Sequence, residues 1–337
     1  MIRIPGYEIK EVVARKSEVC VYRATAAAGG RPVIVKSSLE GAVTPRVLAR
    51  IAHEFEVTRE LDSDGVIRPM DLEHHSEGVA LIFEDYHGRP LNELIDGGEL
   101  NLDVFLRIAT RLAGTLGEIH AQQLIHKDIK PENVLIDGEG RARIIDFGIS
   151  ERINLKNRHL GNPEVLEGTL AYISPEQTGR MNRVLDYRSD LYSLGVTFYE
   201  MLTGRLPFET RDSMELVYSH IAHRPTPVDR RNPEIPVVLS KIVDRLLAKN
   251  AEDRYQSAFG LRHDLEECLR RLENGRIESF EIGARDFSGQ FQIPEKLYGR
   301  ENQLADLLTA FDRAARGGTE LMLVGGYSGV GKSALVY

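Results

Sequence analysis

Two short polar stretches follow a long amphipathic run, and their spacing restricts the fold more than any other feature of the chain. The first is His126-Lys127-Asp128-Ile129-Lys130-Pro131-Glu132-Asn133. The second, Ile144-Ile145-Asp146-Phe147-Gly148, puts its Asp 18 residues after Asp128. Ahead of both, Leu102, Phe105, Leu106, Ala109, Leu112, Ala113, Leu116 and Ile119 recur at helical spacing behind a capping candidate, Asn101. A polar turn after a helix would account for one Asp or one Lys, but not for an eight-residue motif followed by Asp-Phe-Gly.

These residue types suit phosphoryl transfer. That reaction needs a group to orient the attacking hydroxyl and accept its proton, and hard oxygen ligands for Mg²⁺ on the transferring phosphates. Asp128 is the candidate for the first role, and Asn133 with Asp146 for the second. Lys130 would place a cation near the γ-phosphate, where a fixed positive charge acts on the charge that moves during transfer.

The surrounding pattern predicts two unlike halves. From Tyr7 to about Glu84, short apolar or alternating runs broken by turns such as Gly29-Gly30-Arg31-Pro32 predict a small antiparallel sheet. One helix interrupts it, over Arg46 to Leu61, with Val47, Ile51, Phe55 and Thr58 at helical spacing. After Asn101 the chain reads as mainly helical, with further runs at Asp190 to Leu202, Val237 to Leu247 and Phe259 to Leu272. Between Glu273 and Glu295 the periodicity fades and glycines gather, which predicts an interdomain linker over 273–296.

Composition removes several function classes. Lys and Arg number 43 against 51 Asp and Glu, a net charge of −8, which argues against a nucleic-acid partner bound through phosphate contacts. Two cysteines, Cys20 and Cys268, can build neither a disulfide framework nor a metal cluster, and they fit a reducing cytoplasm. The opening Met1-Ile2-Arg3-Ile4-Pro5-Gly6-Tyr7 lacks the apolar core of a signal peptide. No run approaches the ~18 apolar residues of a membrane span, so none is expected.

With these motifs in order, residues 7 to 272 resemble the eukaryotic-type serine/threonine protein kinase family. The resemblance implies an α+β, two-lobed fold: a small β-rich N-lobe with one helix over about 1–84, and a larger helical C-lobe over about 88–272. Pro32-Val33-Ile34-Val35-Lys36 is similar to the family's third strand, whose Lys grips the α- and β-phosphates of ATP. Glu54 is implied as its ion-pair partner. Glu56 is the rival, but helical geometry puts the two on different faces; Glu54 stands seven residues before Leu61, as in the family. Leu81-Ile82-Phe83-Glu84-Asp85-Tyr86 resembles the strand leading to the hinge. There, backbone groups of Glu84 and Tyr86 would bind adenine beneath Val13 and Val21, with Phe83 either gating the rear pocket or serving as plain core.

Gly168-Thr169-Leu170-Ala171-Tyr172-Ile173-Ser174-Pro175-Glu176 resembles the end of the activation segment, which implies a protein substrate rather than a small molecule. Asp190 would support the catalytic loop and Arg254 would pair with Glu176, both structurally. The choice of Ser/Thr over Tyr as acceptor rests on Lys130.

Two departures stand out. The family's three lid glycines align with Ala14, Lys16 and Val19, so side chains would hold the lid backbone away from the phosphates. Lys127 replaces the usual Arg, and no Ser, Thr or Tyr lies between Glu151 and Gly168, so activation is expected without phosphorylation of that loop. The missing glycines leave an alternative open, a nucleotide-binding pseudokinase that regulates adjacent domains. Retention of every charged residue of the chemistry weighs against it.

At the C-terminal end, Glu320-Leu321-Met322-Leu323-Val324 reads as a short buried strand. The following Gly326-Tyr327-Ser328-Gly329-Val330-Gly331-Lys332-Ser333 fits G-x-x-x-x-G-K-[ST], a phosphate-cradling loop in which Lys332 would reach β/γ oxygens and Ser333 would hold Mg²⁺. With Lys296-Leu297-Tyr298-Gly299-Arg300-Glu301, residues 297–337 resemble the truncated start of an AAA-type ATPase. The combination implies a longer bacterial signalling protein whose other domains are partners of the kinase.

Overall fold

The computed structural model describes residues 3–16, 18–39, 43–76, 78–153, 167–181, 183–288, 301–315 and 317–326. It divides into two units, 1–288 and 289–337.

In the first unit, alternation builds a five-stranded antiparallel sheet. Its strands are β1 (Tyr7–Arg15), β2 (Val19–Ala26), β3 (Pro32–Ser38), β4 (Pro69–His75) and β5 (Gly78–Glu84), in the order β1-β2-β3-β5-β4. Val33 and Val35 of β3 are buried on one face of the sheet in a cluster with Ala24, Ala80, Ile82 and Ile4. Their neighbours Ile34 and Lys36 therefore face the other way, in register with Phe83 and Leu81 on one side and with Arg23 and Val21 on the other.

Helix α1 (Pro45–Glu60) covers that second face. It starts where the Thr44 hydroxyl accepts from the Val47 amide and Pro45 occupies the first turn. Val47 and Ile51 pack on Val79 and Leu81, which brings Glu54 over the sheet and leaves Glu56 in solvent. The helix starts and ends within one residue of its expected bounds.

The helical half is organised around α3 (Leu102–Ala121), capped by Asn101, whose side chain accepts from the Val104 amide at 2.9 Å. A six-residue helix, α2 (Leu91–Asp96), precedes it. The expected stripe is buried from Phe105 to Ile119, together with Ile108, and Leu102 at its start is partly buried. Behind it lie α4 (Arg188–Thr203), buried along nearly its whole length, α5 (Ser213–Ala222), the single-turn α6 (Val228–Arg231), α7 (Val237–Leu246) and α8 (Ala258–Glu273). Helices α4 and α7 approach closely at Gly195, where a methyl group would stand 2.6 Å from Leu246 Cβ. Helix α5 lies outside the helical runs read from the sequence, although Met214, Val217, Tyr218 and Ile221 recur at helical spacing. It turns Ser219 and His220 inward beside Val217, and His220 is held by hydrogen bonding with the Tyr192 hydroxyl.

Part of the stretch expected as a linker is packed on the first unit. Residues 274–288 belong to the first unit: Ile277 is buried, and the Asp286 carboxylate accepts from the amides of Gln256 and Ser257 and pairs with Arg245 at 2.8 Å. Ile277, Phe280 and Ile282 pack on the core at no helical or strand period, and the Asp286 contacts complete the attachment, which is why the segment reads as a linker. The remainder of that stretch lies outside the described residues.

In the second unit the described residues form α9 (Glu301–Ala315) and an irregular segment, 317–326. The strand expected at 320–324 is not formed, and Leu321 and Leu323 are 84% and 90% exposed. A buried strand needs neighbours to complete its hydrogen bonds, and this unit offers none among the described residues. Gly331, Lys332 and Ser333 lie outside them.

A buried ion pair ties the activation-segment end to the C-lobe. Arg254 makes two bonds to Glu176, Nη1 to Oε1 at 2.7 Å and Nη2 to Oε2 at 2.8 Å, and Ser189 donates to the same carboxylate. Burial alone would raise the Glu176 carboxyl, but Arg254 and Ser189 outweigh it and hold it at about 2, against an ordinary 4.5. A depressed carboxyl contributes stability that is complete above its unfolded pKa and is lost as pH falls through the folded one. Unfolding free energy between pH 4.5 and 2 is therefore expected to fall with a slope about one proton steeper in the wild type than in Glu176→Gln. Urea titrations across that range check it, and equal slopes would exclude the assignment.

Candidate active site in the interlobe cleft

A small hairpin brings the two motifs together. Strands β6 (Arg89–Pro90), β8 (Val134–Ile136) and β9 (Ala142–Ile144) form one sheet; β7 (Leu124–Ile125) pairs with β10 (Glu151–Arg152). The β8–β9 turn closes the gap in sequence, so the Ile145 amide donates to the Asn133 carbonyl at 3.0 Å. His126 bridges from the other side, its ring nitrogen 3.1 Å from the Ile145 carbonyl and its ring packed edge-on against Phe147.

Asp190, at the start of α4, fixes the loop backbone. Its fully buried carboxylate accepts from the amides of His126 and Lys127, both at 2.8 Å, and contacts His120 Nε2 at 2.9 Å. Burial pushes this carboxyl up, and these hydrogen bonds bring it below its ordinary value. The anchorage holds Lys127 at φ +72°, a conformation that costs a residue with a Cβ. Asp146 takes the same φ.

On this frame the polar side chains form two clusters. In the first, Asn133 Nδ2 donates to Asp128 Oδ2 at 3.0 Å, Lys130 Nζ stands 2.8 Å from the same oxygen, and the Thr169 amide donates to Oδ1 at 2.9 Å. Lys130 also donates to the Thr169 hydroxyl. Gly168 takes φ +98°, and a Cβ there would stand 3.0 Å from the Lys127 carbonyl, so this approach of Thr169 to Asp128 depends on glycine.

In the second cluster Lys36 Nζ lies 2.6 Å from Glu54 Oε2 and 2.8 Å from Asp146 Oδ1, and Lys16 Nζ lies 2.9 Å from Asp146 Oδ2. Burial would lower the Lys36 ammonium, but Asp146 and Glu54 together raise it. Burial would raise Asp146, and the two lysines hold it well below the carboxylate range. The geometry thus selects Glu54 over Glu56.

Above this cluster, Val21 stands in register with Lys36 and shares its face, whereas Val13 lies at a bulge between Val12 and Ala14 and is half exposed. Glu84 ends β5. Tyr86 turns its side chain onto the β8–β9 hairpin, with its hydroxyl donating to Asp137 and its ring 4.3 Å from the Arg143 guanidinium. Asp190, Glu176 and Arg254 lie beneath the loop, buried, and not in the cleft.

The oxygen donors fit a divalent cation. Asn133 Oδ1 is buried and accepts no hydrogen bond among the described residues, since the amide's other end is used on Asp128. With Asp146 it offers two hard oxygens, and the other positions of an octahedral shell would fall to phosphate oxygens and water.

Three groups escaped the sequence reading. Thr169 enters the sequence pattern only as part of the Gly168–Glu176 motif; its amide and its hydroxyl both belong to the Asp128 cluster. Lys16 was read only as a missing glycine. Lys127 was read as a weaker phosphate reader, yet it bonds Glu167 at 2.7 Å and Glu151 at 3.2 Å, acidic residues on either side of the loop. The Glu167 carboxyl, raised by burial, is brought below its ordinary value chiefly by Lys127.

Residues 7–265 match the protein kinase domain family model, and residues 296–337 match the AAA ATPase domain model. Among curated proteins the chain is 32% identical over 326 residues to hybrid signal transduction histidine kinase G of Dictyostelium discoideum, covering 71% of this chain and 10% of that protein. It is 32% identical over 269 residues to a probable serine/threonine-protein kinase of Streptomyces coelicolor, covering 78% of this chain and 40% of the relative. With serine/threonine-protein kinase PrkC of Bacillus subtilis the identity is 28% over 266 residues, again 78% and 40%. The chain therefore spans about two fifths of these bacterial relatives' length and a tenth of the histidine kinase.

The anchoring role of Asp190 is directly measurable. Asp190→Asn removes one of the two acceptor oxygens, so amides 126 and 127 are expected to exchange with solvent at least about tenfold faster while α3 and α8 keep their protection. Hydrogen-exchange mass spectrometry reads both, and unchanged exchange in the loop would refute the anchorage.

Proposed function

The chain belongs to the protein kinase family, and from that premise we propose that it is an ATP-dependent serine/threonine kinase acting in signal transduction by in-line transfer of the γ-phosphate to a protein hydroxyl. The observation that carries this reading is the Asp128 cluster: one carboxylate held on both oxygens by Asn133, Lys130 and Thr169, beside an unpartnered buried amide oxygen.

In this reading Asp128 orients the substrate hydroxyl and takes its proton, a contribution of about 10²–10⁴ in rate. Lys130 stands beside it, placed to meet negative charge as it shifts on the transferring group. Its contact with Thr169 also supports a Ser or Thr acceptor, because it ties the loop to the segment on which a substrate chain would lie. Lys36, oriented by Glu54, grips the α- and β-phosphates, while Val13, Val21 and the backbone at Glu84 and Tyr86 hold adenine. Asn133 and Asp146 would hold Mg²⁺, which supplies charge neutralisation on the phosphates when bound.

The AAA ATPase match and the histidine kinase relative support a second inference, that further domains of a longer signalling protein are partners of this kinase. No helix among the described residues is long and apolar enough to cross a membrane. In this reading the use of ATP supports a cytoplasmic location.

Lys127 suggests how the activation segment is held. Glu151 and Glu167 supply fixed negative charge where a phosphorylated residue would otherwise be read. The hydroxyls nearest the segment are engaged, Ser150 donating to the Phe147 carbonyl and Thr169 accepting from Lys130.

Two outcomes follow. The full chain with Mg²⁺ and γ-labelled ATP is expected to label Ser or Thr of a generic protein, and Asp128→Asn to lower the rate about 10³-fold. ATP binding without transfer would favour the regulatory pseudokinase instead. Phosphatase treatment is expected to leave activity unchanged, whereas Glu151→Gln with Glu167→Gln is expected to lower it about tenfold. Full activity in that double variant would dismiss the ionic latch.

A further inference from the structure

The lid over the cleft is the turn between β1 and β2, closed where the Lys16 amide donates to the Val19 carbonyl at 2.9 Å. In this turn Ala14 is in register with Val21 and Arg15 with Cys20, so the strands are paired up to the lid itself. None of the three lid positions is glycine, so side chains stand between this backbone and anything beneath it. One of them points into the cleft. The Lys16 ammonium lies 2.9 Å from Asp146 Oδ2, while the Lys36 ammonium lies 2.8 Å from Oδ1 of the same carboxylate. Two cations, one from the lid and one from β3, converge on a single anionic group at the cleft floor.

We infer that Lys16 is a nucleotide-binding residue, its ammonium contacting the phosphates of bound ATP or ADP from the lid side in place of the backbone N–H contacts of a glycine lid. The inference deepens the kinase reading and rests on it. A lysine suits the task because a flexible four-carbon stem carries the charge well beyond the backbone that presents it. Its present partner is easily exchanged: the Lys16 side chain is 44% exposed, and ion pairs of such residues are weak. A polyphosphate beside Asp146 offers several anionic oxygens to the same ammonium. A cation held by Asp146 would compete with Lys16 for that carboxylate, and phosphates beside it would offer the lysine other anions.

The test is equilibrium binding, separate from turnover. The full chain, Lys16→Gln and Lys16→Arg are titrated calorimetrically with ATP, ADP and adenosine in the presence of Mg²⁺, with nucleotide-free melting curves as the folding control. Lys16→Gln is expected to weaken ATP and ADP about tenfold, the order of one charge-assisted contact, and to leave adenosine unchanged. Lys16→Arg, which keeps the charge, is expected to stay within about twofold of the wild type. Equal or tighter ATP binding by Lys16→Gln, with the wild type binding ATP normally, would overturn this inference alone and make the lysine neutral or an obstruction. Equal weakening of adenosine and ATP would assign the effect to lid shape and overturn it too. A wild-type chain that binds neither nucleotide would overturn the kinase reading together with it.

Discussion

The cleft depends on a carboxylate that never reaches it. Asp190 is fully buried, receives two backbone amides and a histidine, and so holds in place a loop whose residue 127 has a left-handed φ. Left to itself such a loop would relax toward commoner dihedrals, at a gain of about 1–3 kcal/mol for each strained residue. The hydrogen bonds to a charged acceptor, each worth about 1.5–3 kcal/mol, are of the size needed to prevent that. Everything that Asp128, Lys130 and Asn133 do is inherited from that balance, because their side chains are short or already committed to one another.

The same reasoning separates two kinds of buried charge in the molecule. Glu176 and Arg254 are paired two bonds to two, with their remaining hydrogen-bonding capacity spent on Ser189 and on carbonyls of Ala248, Arg188 and Lys249. Such a site is closed and fits a fastening between segments. The chain Glu54, Lys36, Asp146, Lys16 ends instead on a half-exposed lysine. Buried charges contribute little net stability over apolar replacements, so an open-ended chain of them at a cleft is better explained by what it can bind than by what it holds together.

Much of this was readable before any coordinates. The strands, α1, α3, α4, α7 and α8 follow from the period of their apolar residues, and the Glu54 face of α1 follows from counting along a helix. What was not legible has more than one cause. Helix α5 turns Ser219 and His220 inward and leaves Met214 and Tyr218 exposed, while the tail after Glu273 packs Ile277, Phe280 and Ile282 on the core at no helical or strand period. The segment 320–324 fails in the opposite sense, since an apolar run predicts a strand only where neighbouring strands exist to pair with it. Within the site, residues of a contiguous motif were legible, whereas Lys16, Glu151 and Glu167 gained meaning only from what they face across space.

Those three residues also connect the departures from the family pattern. A lid without glycine and a loop with Lys127 for Arg would each weaken a kinase taken alone, the first at the phosphates and the second at the activation segment. In both places a lysine meets acidic partners: Lys16 meets Asp146, and Lys127 meets Glu151 and Glu167. A lysine is a compact point charge without the planar fork of arginine, so it can serve two carboxylates in different directions where a bidentate reader would favour one phosphate. At position 16 a side-chain cation stands where the family has a glycine backbone, whereas at position 127 one cation replaces another and only the geometry of its contacts changes. Ion pairs at a half-exposed site add little stability of their own, so cations matched to acidic partners around Asp146 favour the proposed nucleotide-handling role over a purely structural one.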